Sequence, residues 1–161
     1  MTNRILAIDP SGTGTTGIFF IDIYDQDPNI YFTEFHQFQG KNWKEHYAFI
    51  NQLVKEKEPE LILYEDINFI NNRNKDSLNL IRLLGAIECL SVEKVNNVNV
   101  LKVKEISKAL FAGKVKIPGL EYLPGRGKGW LWQGKRISIH CLEAFLVWYL
   151  WNKLNLLKII L

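Results

Sequence analysis

The most constraining stretch is Arg4–Gly17, RILAIDPSGTGTTG. Ile5-Leu6-Ala7-Ile8 is apolar at every position, so both faces of this run need cover, and it reads as a strand inside a sheet. Asp9 is the first polar residue after it. Pro10-Ser11-Gly12 breaks the strand, and Thr15-Thr16-Gly17 leads into a second apolar run. A carboxylate at the end of a buried strand is held in place but kept close to solvent. We read Asp9 as the first ligand of a metal site whose other ligands come from far along the chain. A strand-end aspartate is also an ordinary turn former, so the reading depends on what else reaches the same edge.

The chain continues in strands. Gly17–Asp22 is β-branched and aromatic, Asp25–Asn29 is turn chemistry, and Ile30–Phe38 reads as a third strand with one half-exposed face. Three strands with short turns make an antiparallel meander. Trp43–Lys57 carries Trp43, Tyr47, Ile50, Leu53 and Val54 at helical spacing, and Pro59 closes it. Leu61–Tyr64 is another short buried run, ending in Glu65-Asp66. A helix followed by such a strand predicts that this strand lies parallel to the first, which brings its acidic end to the edge that holds Asp9.

Asn68–Lys75 is a polar loop. Asp76 or Ser77 caps a helix predicted to run to about Val92. Asn96-Asn97 reads as a turn, Val98–Val103 as a fifth strand, and Lys104–Phe111 as a short helix. Gly113–Gly134 holds six of the eleven glycines together with Pro118 and Pro124, and reads as one long loop. A last helix is predicted from about Lys135 to Asn155, with Ile139, Leu142, Leu146 and Tyr149 against the sheet. The predicted class is α/β with a five-stranded mixed sheet flanked by helices, in one domain over residues 1–161.

His140 and Glu143 lie three apart on that last helix and share a face. Glu143 stands between Leu142 and Ala144-Phe145, and an acid in so apolar a helix needs a partner. Asp9, Glu65, His140 and Glu143, with Asp66 as a further candidate, therefore converge at one edge. Carboxylates gathered there repel one another unless a cation sits between them. Hard oxygen ligands favour Mg²⁺ or Mn²⁺. Two such ions about 4 Å apart are a device for in-line phosphodiester hydrolysis.

Cysteine and charge narrow the setting. Cys89 and Cys141 both read as small core residues in a reducing compartment, and the chain as cytoplasmic, with no signal peptide. The apolar C-terminus has only nine uncharged residues between Glu143 and Lys153, too few to span a membrane. From Lys94 to Arg136 there are ten lysines and arginines against Glu105 and Glu121, a phosphate-binding footprint or a solvated helix and loop. Lys104, Lys108, Lys114, Lys116, Arg126, Lys128, Lys135 and Arg136 are the candidate phosphate contacts, with Arg73 and Lys75. Phe69, after Glu65, either stacks on an unpaired base or sits in an interface. Trp130 and Trp132 either stack on bases or close their loop onto the core.

Ile5–Pro10, the Glu65 strand end, Asn74-Lys75-Asp76-Ser77 opening a helix that reaches Gly85-Ala86, and the final His140-Cys141-Leu142-Glu143-Ala144 together resemble the RuvC-type Holliday junction resolvases of the ribonuclease H-like superfamily. The resemblance covers nearly the whole chain in order. It implies a homodimer that places paired nicks across a four-way DNA junction, with Asp9, Glu65, His140 and Glu143 as the residues that hold two metal ions. Any helicase partner is left open. His140 and Glu143 stand where that family most often has two aspartates. Three other readings are weighed beside it: a nuclease for flaps, forks or other branched DNA; a junction-binding module whose chemistry is lost; and, last, an actin-like or sugar-kinase phosphate loop at Asp9–Thr16, which needs two such domains.

Overall fold

The cover that Ile5–Ile8 demands comes from helices on both faces of a central sheet. In the computed structural model, which describes residues 2–24, 27, 29–67 and 74–160, the strands of that sheet are β1 (Thr2–Asp9), β2 (Thr15–Tyr24), β3 (Tyr31–Gln39), β4 (Leu61–Glu65) and β5 (Lys94–Val98). They lie in the order β3-β2-β1-β4-β5. β1, β2 and β3 form the expected antiparallel meander, and β4 pairs parallel with both β1 and β5. Ile8 lies beside Tyr64, so Asp9 and Glu65 end neighbouring strands at one edge.

Side chains alternate between two cores, as the pleat requires. Ile5, Ala7, Phe19, Ile21, Leu61 and Leu63 meet Leu142, Phe145 and Leu146 of α4 (Ile139–Ile160). Leu6, Ile8, Ile18, Phe20, Ile62 and Tyr64 meet Ile50 and Leu53 of α1 (Trp43–Lys57) and Leu83 and Ile87 of α2 (Lys75–Glu88). Asn42 caps α1 by accepting from Lys44 N and Glu45 N, and Glu58 ends it in the left-handed region at φ 46°. α2 is capped by Asn74 rather than by Asp76 or Ser77, and stops at Glu88 rather than at Val92.

Three further boundaries differ from expectation. The fifth strand is Lys94–Val98, so Asn96-Asn97 is strand and not turn. β5 is an edge strand with mostly exposed side chains, a setting that tolerates asparagine. Val98–Val103 is not the strand; α3 runs Val100–Phe111, capped by Asn99, with Val100 and Val103 buried one turn apart. Gly113–Gly134 is not a loop. It builds most of a second, three-stranded antiparallel sheet of β6 (Leu120–Leu123), β7 (Gly129–Trp132) and β8 (Lys135–Ile137). Its glycines at positive φ serve turns, including Gly134 at φ 79° in the β7–β8 hairpin.

That second sheet closes onto the first. Trp130 and Trp132 are buried, Trp132 packs on Phe145, and its indole N–H donates to Thr33 Oγ1 at 3.2 Å. Lys135–Ile137 is strand, and α4 begins only at Ile139, where Ser138 Oγ accepts from Cys141 N. Ile139 is exposed and does not face the sheet, whereas Leu142 and Leu146 do. Cys141 is buried as expected, but Cys89 is exposed where α2 ends. Among the described residues no helix is long and apolar enough to cross a membrane.

Two glycines fix how the helices approach. A Cβ at Gly12 would lie 2.3 Å from Leu80 N on α2, and one at Gly17 would lie 2.1 Å from the His140 carbonyl oxygen on α4. Both contacts are backbone to backbone and cannot give way cheaply. Gly17 pairs with Asp9 across β1 and β2. Gly17→Ala is expected to cost about 1–3 kcal/mol through overpacking, read as a lower denaturant midpoint at unchanged m-value.

Candidate metal centre at the acidic edge

Asp9 reaches the edge because β1 ends there, and the turn after it is tied down by side chains. Thr16 Oγ1 accepts from Ser11 N at 3.0 Å, Ser11 Oγ accepts from Gly14 N at 2.8 Å, and Thr13 Oγ1 donates to Asp76 on α2 at 2.9 Å. His140 arrives on the first turn of α4, seated against Gly17. Its Nδ1 lies 3.3 Å from Asp9 Oδ2. Glu143 follows one turn later on the same face. Asp9, His140 and Glu143 each bring a ligand atom to within 4.8 Å of the other two, and all three are half-buried.

Glu65 stands outside that triangle but feels it. Burial and the charges of Asp9 and Glu143 push its carboxyl up to about 8, against a partial offset from Lys104. Burial, the Asp9 charge and a hydrogen bond to Asp9 push Glu143 up to about 7, offset in part by His140 and Lys104. The hydrogen bond to Asp9 holds His140 above its ordinary value despite its burial. For the two glutamates the shifts report burial first and crowded negative charge second. A divalent cation relieves such crowding, and three carboxylates with one imidazole make an oxygen-rich donor set of the kind that suits Mg²⁺ or Mn²⁺.

A cavity of about 300 Å³ opens at this edge, lined by Asp9, Glu65, Asp66, Leu80 and Lys104 among others. Asp66 faces it with a carboxylate already engaged: Oδ1 accepts from Ile67 N at 2.8 Å and Oδ2 from Asn97 Nδ2 at 3.1 Å. Lys104, expected only as a phosphate contact, stands in the wall beside Glu65. Its relation to the acids was hidden in the sequence, because α3 begins four residues earlier than its pattern suggests.

The remaining candidates spread out. Lys75, Lys108, Lys114, Lys116, Arg126, Lys128 and Lys135 are exposed. Arg136 is exposed too, but its guanidinium donates to the carbonyls of Gly127 and Lys128 and so braces a turn of the second sheet. Phe69 and Arg73 lie outside the described residues. Gly12 and Gly17, on either side of the turn after Asp9, seat α2 and α4.

No protein-family model matches the sequence, and no curated protein matches it either. Solved structures do. The structure of Thermus thermophilus RuvC in complex with Holliday junction substrate aligns over 89% of this chain and 88% of that chain, with a TM-score of 0.54 and 14% identity. The chain has the RuvC fold. A second Thermus thermophilus RuvC structure aligns at the same TM-score with 17% identity, over 89% of this chain and 90% of that one. The fowlpox virus resolvase bound to Holliday junction DNA aligns more loosely, over 68% of this chain and 74% of that one, at a TM-score of 0.44 and 12% identity. The likeness to RuvC is one of fold, and the site in this chain stands on the geometry above.

The raised values set a pH dependence. Unfolded glutamate releases its proton near 4.5, while the folded chain holds protons on Glu143 to about 7 and on Glu65 to about 8. Between these limits the native state binds more protons than the unfolded one, so stability falls as pH rises. His140, raised above 6.5, acts in the same direction, its contribution being lost as pH passes its folded value. Metal-free protein is therefore expected to melt at a lower temperature near pH 8 than near pH 5. Because binding of a cation displaces these protons, added Mg²⁺ or Mn²⁺ should raise the melting temperature more at the higher pH. Calorimetry at both pH values with and without metal checks this; an equal or smaller increment at the higher pH contradicts it.

Proposed function

We propose that the chain is a metal-dependent, structure-selective endonuclease that resolves four-way DNA junctions by paired symmetric nicks. It acts as one RuvC-like nuclease domain over residues 1–161, as a homodimer, in the cytoplasm. The observation that carries this reading is the meeting of Asp9, His140 and Glu143 within 4.8 Å at the edge where Glu65 also ends its strand. The RuvC fold supports it, since the structures it resembles include one bound to a Holliday junction.

In this reading Asp9, Glu65, His140 and Glu143 would hold two Mg²⁺ or Mn²⁺ ions, with Asp66 as a further candidate ligand. When bound, such ions supply a hydroxide near neutral pH and neutralise charge on the attacked phosphate. The residues of the chain prepare that chemistry. Asp9, at the end of β1, meets His140 and Glu143 directly, with Glu65 ending the neighbouring strand. Glu65 and Glu143 must give up the protons they hold up to about 8 and 7 before they serve as ligands. His140 would ligate an ion or position the attacking water. Lys104 places a positive charge at the rim, facing the incoming phosphate backbone. In-line attack leaves a 5′-phosphate and a 3′-hydroxyl. The exposed lysines of α3 and the second sheet steer the junction arms. Two copies related by a twofold axis present two such sites to one junction, which accounts for symmetric cuts.

Asp9→Asn is expected to lower nicking at least about a hundredfold, because several kcal/mol of charge stabilisation depends on that ligand. Junction binding, read by gel shift, should persist. The deciding experiment offers labelled four-way, three-way and linear duplexes with Mg²⁺ or Mn²⁺ and maps the nicks. Symmetric nicks on the four-way substrate support the reading. Nicks confined to forks or flaps move it to another branched DNA, and binding without nicks makes the chain a junction-binding module. Undiminished cutting in excess chelator defeats the metal mechanism.

A further inference from the structure

One groove lies apart from the acidic edge yet leads toward it. Among the described residues β3 is the free edge of the five-stranded sheet, pairing only with β2. The second sheet stands beside it, held by the bond from Trp132 to Thr33 and by one from Gln133 Nε2 to the Tyr31 hydroxyl at 3.1 Å. Between them runs a groove of about 560 Å³, with β3 from Phe32 to His36 on one side and Trp132–Ile137 on the other.

The two walls differ in chemistry. β8 contributes Lys135 and Arg136, both exposed. β3 contributes Phe32, an aromatic ring on a surface strand with 49% of the residue exposed. Among the described residues the one acid lining the groove, Glu34, is already paired with Lys57 and with His36, whose Nε2 lies 3.1 Å away. The uncompensated charge of the groove is therefore positive. Its direction is set by the chain. His36 lies level with Ile18, and Ile18 with Ile8, one residue short of Asp9. β8 passes through Ser138 directly into the turn of α4 that carries His140.

We infer that this groove holds a single-stranded DNA segment that enters or leaves the acidic edge, its phosphates on Lys135 and Arg136 and a base stacked on Phe32. Cations and an exposed aromatic ring lining one groove are the elements that track an unpaired strand without reading its sequence. The inference rests on the nuclease reading and adds to it: the substrate would present an unpaired stretch next to the cut. A peptide strand added to the β3 edge is the competing occupant of any free edge, but it has no need of the two cations opposite.

The test uses the full chain in chelator, so that nothing is cut. Fluorescence anisotropy with a labelled oligothymidylate of about ten nucleotides is compared for the wild type, Phe32→Ala, Phe32→Leu and Lys135→Glu. Phe111→Ala, which removes another exposed aromatic, is the control. Both Phe32 variants should bind roughly tenfold more weakly, Leu included because it keeps bulk and loses the π-face. Lys135→Glu should weaken binding and flatten its salt dependence. Phe111→Ala should change nothing, and circular dichroism should be the same for all. Wild-type affinity in the Phe32 and Lys135 variants, or no oligothymidylate binding at all, overturns the inference. So does a shift in sedimentation state with DNA binding unchanged, which would mark the edge as a protein interface. Mg²⁺-dependent nicking is scored separately: groove binding without nicking defeats the nuclease reading and leaves the strand site standing.

Discussion

The acidic edge depends on one close approach of backbone to backbone. The His140 carbonyl sits so near Gly17 that a methyl group there would overlap it. Gly17 is the β2 residue directly beside Asp9. A larger residue would lift the start of α4 off the sheet and carry His140 and Glu143 away from their partner. The rest of α4 then follows, with Leu142, Phe145 and Leu146 filling the space above Ala7, Phe19 and Leu63. The apolar packing that stabilises the helix is thus the same packing that brings its polar face to the strand end.

The cost of this arrangement is electrostatic. Three carboxylates share a half-buried corner, and two of them hold protons well above the usual range. A protein selected for stability alone would not crowd them so. Lys104 offsets part of the repulsion at both glutamates, and His140 part of that at Glu143.

The second sheet changes the view of the basic region. As a loop, Gly113–Gly134 would carry its charges on a mobile tether. As β6–β8, buried through Trp130 and Trp132, it holds Lys128, Lys135 and Arg136 on a framework anchored to Phe145 and Thr33. Charge held on such a framework can define a path rather than only attract.

By itself the sequence determined the central meander, the parallel return of β4, α1, and the common edge of Asp9 and Glu65, because unbroken apolar runs and helical periodicity leave few alternatives. It also placed His140 and Glu143 on one helical face. Only the tertiary structure decided the strand at Asn96-Asn97, the early start of α3, the exposure of Cys89 and Ile139, and the second sheet. Each of these turns on a neighbour distant in sequence. An edge position accepts polar residues in β5, and burial against Phe145 makes strand out of a glycine-rich segment with no alternating pattern of its own. The role of Gly12 and Gly17 as helix seats is visible only once α2 and α4 are packed on them.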